Sequence, residues 1–231
     1  MRLRLPEERP EEPPTGYKIA HAVLSQDGTR AGFTGVSLGG ALPYGVLDDA
    51  ACVYGRRHRP PARLCDCGFH CVHDRAAAEA LLCTAEHRAA VLLDVCVLGA
   101  YIRFERGFRY ARQRVRTAAA GPCACGSAAV ALADAGWGRP GWRALASACA
   151  GCVRGRTSLS LAGFARLAGE GLRVVASGAV AAAPRAEPAG DDDLGVPELV
   201  AEAALLQARL DWFQTQLARL GGRGAGGAEQ G

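Results

Sequence analysis

Apolar residues along the chain fall into short blocks divided by glycine, proline and charge. Gly16 to Leu24, GYKIAHAVL, alternates enough to predict a strand, and Asp27-Gly28 predicts the turn after it. Gly35 to Gly45 is glycine-rich and reads as loop. Arg75 to Leu82, RAAAEALL, predicts a helix by propensity. Val91 to Leu98, VLLDVCVL, predicts a strand apolar on both faces and therefore central in its sheet. Leu159 to Val180 reads as a short helix followed by a strand, LRVVASGAV. Glu198 to Leu220 predicts a longer helix. Leu199, Ala203, Leu206, Leu210, Phe213, Leu217 and Leu220 recur at alternating steps of four and three, a heptad seam. Pro197 suits its first turn, and Gly221-Gly222 ends it.

Composition changes this picture in three ways. The 231 residues are 49% hydrophobic, but much of that share is alanine, so the core is expected to be modest. Among the basic residues Lys18 is the single lysine and the rest are arginine, in a chain also rich in Ala, Gly and Pro. That usage is the mark of a GC-rich genome and weakens any argument from arginine content alone. The net charge of +4 permits an acidic partner without requiring one. Met1 to Pro14 lacks the apolar core of a signal peptide. The longest apolar run, Ala89 to Ile102, is interrupted by Asp94 and falls short of the roughly 20 residues that span a bilayer. The expectation is a soluble, cytoplasmic protein with no membrane partner.

Ten cysteines in a reducing compartment read as metal ligands or redox groups rather than disulfides. Cys123-x-Cys125 and Cys149-x-x-Cys152 form two close pairs. Two such knuckles supply the four soft ligands of a tetrahedral zinc site once the chain doubles back. Gly126 and Gly151 suit the tight turns, and Ala128 to Leu132 with Trp142 to Ala146 are candidates for the ribbon between the knuckles. A redox role for Cys149-x-x-Cys152 is the alternative, disfavoured by the neighbouring pair. A second set is Cys52, His58, Cys65 and Cys67, with His70, Cys71 and His73 as competing ligands. If Phe69 to His73 is a strand, its direction carries those three away from the knuckle. Two four-ligand sets predict about two zinc ions per chain.

Arg103, Arg106, Arg109, Arg112, Arg114 and Arg116 fall in one stretch interleaved with Tyr101, Phe104, Phe108 and Tyr110. Arginine can hold phosphates and aromatic rings can stack on bases, so this segment is the candidate nucleic-acid surface. The alternative is a solvated face in a chain that uses arginine for almost every cation. At the C-terminal helix, Leu199, Leu206, Leu210, Phe213, Leu217 and Leu220 form the candidate assembly stripe. Three heptads are short for a free-standing coil, so the helix is expected to find a partner, either a second copy or another protein.

The run HRPPARLCDCGFHCV, then a helix, then VLLDVCVLGAYIRFERGFRYAR resembles a family of uncharacterised actinobacterial proteins. These carry a His-x-x-Pro…Cys-x-Cys-Gly segment and a Gly-aromatic-Arg-Ala motif, followed in some members by a zinc-ribbon-like cysteine cluster. Here Gly107-Phe108-Arg109-Tyr110-Ala111 departs from that motif by one inserted residue, Tyr110. The resemblance covers roughly Gly16 to Arg116 and implies fold and metal, with no activity to transfer. A fainter similarity to ADP-ribosyltransferase-like folds offers His21, Tyr54 and Glu105 for catalytic roles, but their spacing does not compel it and no catalytic residue is assigned.

Together these readings predict an α+β protein. A disordered tail covers 1–16, a small zinc-stabilised mixed domain 17–118, and a zinc-ribbon-like module with helix and strand 119–180. A linker covers 181–197, a coiled-coil-like amphipathic helix 198–220, and a flexible tail 221–231. The expected function is that of a zinc-binding, non-enzymatic adaptor or regulator that assembles through its last helix. Direct nucleic-acid binding and an ADP-ribosyltransferase-like enzyme are the alternatives.

Overall fold

A computed structural model of the chain describes residues 12–36, 42–52, 54–84 and 87–177. The first strand, β1 (Thr15–Ser25), turns back at Asp27-Gly28 into β2 (Ala31–Gly35). The turn forms because the Asp27 carboxylate accepts from the Thr29 N–H and from the Ser25 and Thr29 hydroxyls, while Gly28 takes φ +73°. A short β3 (Leu47–Asp49) and β4 (Phe69–Val72) precede α1 (Arg75–Leu82). The Asp74 side chain caps that helix by accepting from the backbone N–H groups of Ala76 and Ala77. Then come two long strands, β5 (Val91–Phe104) and β6 (Gly107–Ala120), and the hairpin β7 (Ala131–Arg139) and β8 (Trp142–Ala148). The described part ends with β9 (Ser158–Ser160), α2 (Leu161–Ala168) and β10 (Arg173–Ala176).

The ten strands belong to one sheet. Tyr17 of β1 pairs with Asp94 of β5 on one edge and with Val72 of β4 on the other. Tyr110 of β6 pairs with Tyr101 of β5 and with Phe69 of β4. The order β1–β5–β6–β4 therefore closes on itself as a ring. Beyond the ring, β1 continues along β8, and β6 carries β3 and β10. The segments read from sequence as a domain over 17–118 and a ribbon module over 119–180 share this sheet, through the β1–β8 and β6–β10 pairings.

The core lies inside the ring. On β5 the odd residues Val91, Leu93, Val95 and Val97 face inward, and on β1 Ala20, Ala22 and Leu24 do. Leu92 and Ile19 face outward and are covered with Ala78 of α1 in a second apolar cluster. β5 is thus apolar on both faces, and a bulge between Leu98 and Tyr101, with Gly99 at φ +69°, lets it run on to Phe104. Phe164 anchors α2 in the main core, its ring 5.6 Å from Phe33.

The fold class differs from the expected α+β. Among the described residues the protein is mostly β-sheet with two helices of eight residues each. The cause is the alanine. Ala118, Ala120, Ala131, Ala133, Ala144 and Ala148 are buried in strands, where small side chains let strands and helices pack closely. Helical propensity is a weak prior against such packing. The linker over 181–197, the helix over 198–220 and the tail over 221–231 lie outside the described residues.

Candidate metal centres

The second cysteine cluster sits where the ribbon hairpin joins the sheet. Cys123 and Cys125 precede β7, and Cys149 and Cys152 follow β8. Because β7 and β8 pair antiparallel from Ala131–Ala148 to Arg139–Trp142, the two knuckles are brought to one end of the hairpin. The first is a tight turn in which the Gly126 N–H donates to the Cys123 carbonyl at 2.7 Å and Gly126 takes φ +84°. In the second, Gly151 has no positive φ; the left-handed position falls on Gly155, φ +73°. The four sulfurs lie within 4.8 Å of one another, with Cys125 and Cys149 Sγ 3.5 Å apart. Zinc–sulfur bonds of about 2.3 Å in a tetrahedron put sulfurs roughly 3.8 Å apart, whereas a disulfide needs about 2.05 Å. All four thiols are free.

Charge in this cluster is uneven. The Ser127 hydroxyl and backbone, then the sulfurs of Cys149 and Cys123, hold Cys125 down at about 6. The sulfurs of Cys123, Cys149 and Cys125 push Cys152 up to about 12. Thiolates this close repel each other, and a divalent cation among them removes the conflict.

The first cluster is built differently. Cys52 and His58 lie in the long loop after β3, and Cys65 and Cys67 lead into β4. Their ligand atoms also lie within 4.8 Å of one another. Cys52 and Cys65 Sγ are 3.9 Å apart, and His58 Nε2 is 3.0 Å from Cys67 Sγ. Both sets have the donor atoms and spacing to hold a metal ion. The competitors stand elsewhere. Cys71 points into the core. His73 Nε2 is 3.0 Å from the Phe104 carbonyl, and its ring meets Phe108 edge-on. His70 is on the opposite side of β4 from Cys71 by strand alternation.

Sequence reasoning placed Arg109 on the nucleic-acid surface, but the side chain is 7% exposed and directed at this loop. Its guanidinium donates to the carbonyls of Cys65 and of Ala62, the latter at 3.1 Å, and to Asp66 Oδ1 at 3.3 Å. Arg109 therefore fixes the backbone that carries Cys65 and Cys67. The signal for it was the Gly-aromatic-Arg run. Gly107 opens that run because β4 passes so close that a Cβ there would lie 2.0 Å from the Cys71 carbonyl. Arg103, Arg106, Arg112, Arg114 and Arg116 remain exposed, and Arg112 lies 3.8 Å from Asp49.

His21, Tyr54 and Glu105 are carried by β1, the first metal loop and the turn after β5. A cavity of about 920 Å³ opens beside the first cluster; Tyr54 lines it, and neither His21 nor Glu105 does. None of the helices among the described residues is long and apolar enough to cross a membrane.

No protein-family model matches this chain, and no curated protein or solved structure is detectably similar to it. The actinobacterial resemblance thus rests on the quoted residues alone.

Proposed function

We propose that the protein is a zinc-stapled β scaffold that works as a non-enzymatic adaptor or regulator. The observation that carries this reading is the pair of four-ligand sets, one Cys₃His and one Cys₄, each gathered within 4.8 Å. Four protein ligands close a zinc site, whereas catalytic zinc keeps one position for water. Both sets also sit where irregular chain meets the sheet, the place a staple is needed. Among its described residues the Cys52 to Cys67 loop has no regular element of its own. The second set pins the chain between β6 and β7 to the chain between β8 and β9.

The adaptor half of the reading is supported by the heptad seam of residues 198–220. A tethered apolar stripe is a binding surface for another helix or groove. Nucleic-acid binding and transferase chemistry have less support. The first loses Arg109 to the metal loop, and the second has its three candidate residues on separate elements.

Elemental analysis of protein purified in reducing buffer tests the metal assignment. About two zinc ions per chain are expected, falling to about one in Cys52→Ser and in Cys149→Ser separately. Wild-type protein free of zinc would end the proposal.

A further inference from the structure

Lys18 occupies an unusual position. β1 alternates, and Lys18 shares the inward face with Ala20, Ala22 and Leu24 of the core. A cation on the core face of a central strand is rare unless it is paired. Among the described residues Lys18 has no carboxylate partner. Its Nζ instead stands over two aromatic rings, 4.9 Å from the centre of Tyr44 and 5.0 Å from that of Phe69. β1 and β4 approach closely here, since a Cβ on Gly16 would lie 2.5 Å from Cys71 Sγ.

The Lys18 side chain is half-buried and borders open space. Lys18 lines the cavity of about 920 Å³ together with Tyr44, Phe69, Cys71 and Phe108, a volume within the usual range for small-molecule sites. Leu42, Tyr54, Leu81 and Phe104 also line it and are exposed. Large apolar side chains gathered in the open around a cavity mark a binding site for something apolar. The carboxylates in the lining are engaged elsewhere. Asp48 accepts from the Gly45 and Asp49 N–H groups, Asp49 lies near Arg112, and Asp66 lies 3.3 Å from the Arg109 guanidinium.

The choice of residue carries information. This chain uses arginine for every basic position but this one. Arginine is the better holder of anions and is always charged; lysine differs in that it can give up its proton and act as a nucleophile. We infer that Lys18 is a reactive amine at the floor of a ligand cavity, where it captures an apolar, aldehyde-bearing small molecule as an imine.

The step balances without an oxidant or reductant. The lone pair of the neutral Nζ attacks the carbonyl carbon, and the C=O π pair moves to oxygen. The nitrogen transfers a proton to that oxygen, giving a carbinolamine. Loss of the hydroxyl group, together with the second nitrogen proton, as water leaves the C=N bond. Desolvation supplies the neutral amine by lowering Lys18 to about 8, against an opposing pull from Cys71. The titratable groups beside it are Tyr44 and Cys71, both pushed up by burial; His70, on the other side of β4, is lowered by burial and then by Lys18 itself.

The test treats full-length, metal-loaded protein with benzaldehyde and cyanoborohydride, which reduces an imine to a stable secondary amine, and maps the product by peptide mass spectrometry. Only Lys18 and the N-terminal amine can be labelled, and the two fall in different peptides. Lys18 is expected to label at least about tenfold faster at pH 7 than Nα-acetyl-lysine in the same buffer. Its rate should reach half-maximum near pH 8, and the advantage should vanish in denaturant. Label on the N-terminus alone, or a Lys18 midpoint above about pH 10, overturns the inference. Both measurements are made on the wild type, so they hold even if Lys18→Arg fails to fold.

Discussion

At the scale of single residues, the two most informative side chains are cations used for opposite purposes. Lys18 faces a cavity with no carboxylate paired to it among the described residues, and Arg109 is buried with its guanidinium on the Cys65 and Ala62 carbonyls. Those carbonyls belong to the turn that presents Cys65 and Cys67, so Arg109 acts as a positioning residue for the first cluster. A lysine keeps the charge but cannot span two carbonyls with a planar fork. Groups that orient metal ligands typically contribute 10–100-fold in metal affinity. Arg109→Lys is therefore expected to speed zinc loss to a chelator from the first site by at least about tenfold. The Cys123 to Cys152 site should exchange as in wild type. Zinc loss from the first site no faster in the variant than in wild type would show that Arg109 only fills space.

At the scale of elements, local pattern and observed structure agree where the pattern is short-range. The helix RAAAEALL occupies Arg75–Leu82, with Asp74 as its cap. The ribbon hairpin falls between the two cysteine pairs. Less legible was the segment after Leu98, where alternating arginines hid a strand that runs from Gly107 to Ala120. Residues 198–220 carry the heptad seam. Leu210 is mid-seam, and a charge there would have to be buried against a partner's apolar residues. Leu210→Glu is expected to lower the mass measured by light scattering while zinc content is unchanged. A wild-type monomer whose melting temperature falls sharply with Leu210→Glu would instead make the helix part of the protein's own core.

At the scale of the whole molecule, the question is what holds so alanine-rich a sheet together. Small buried side chains contribute little area, at about 25 cal/mol per Å², and the described residues of the Cys52 to Cys67 loop include no strand or helix to order it. Structural zinc supplies folding free energy on the order of 10 kcal/mol per site in small domains, comparable with the stability of a typical protein. Removing metal with a chelator under reducing conditions is expected to lower the melting temperature by more than about 10 °C or to abolish the cooperative transition. An unchanged transition after complete zinc removal would mean that the clusters do not staple the fold.

The sequence by itself determined what depends on neighbours in the chain: the cysteine spacings, the Asp27-Gly28 turn, the capped helix and the strands of β1 and β5. A knuckle or cap is closed by residues a few positions apart, so its chemistry is written in one short run. The tertiary structure alone decided how β4 bridges β1 and β6, and with it the fold class. That pairing joins Val72 to Tyr17 and to Gly107, contacts between residues far apart in the chain that no local pattern specifies. Ring closure also put Lys18 on an inner wall and buried Arg109 against the metal loop. A lone lysine and an arginine after Gly-aromatic mark these positions in the sequence, but only the register of the sheet turns their side chains inward.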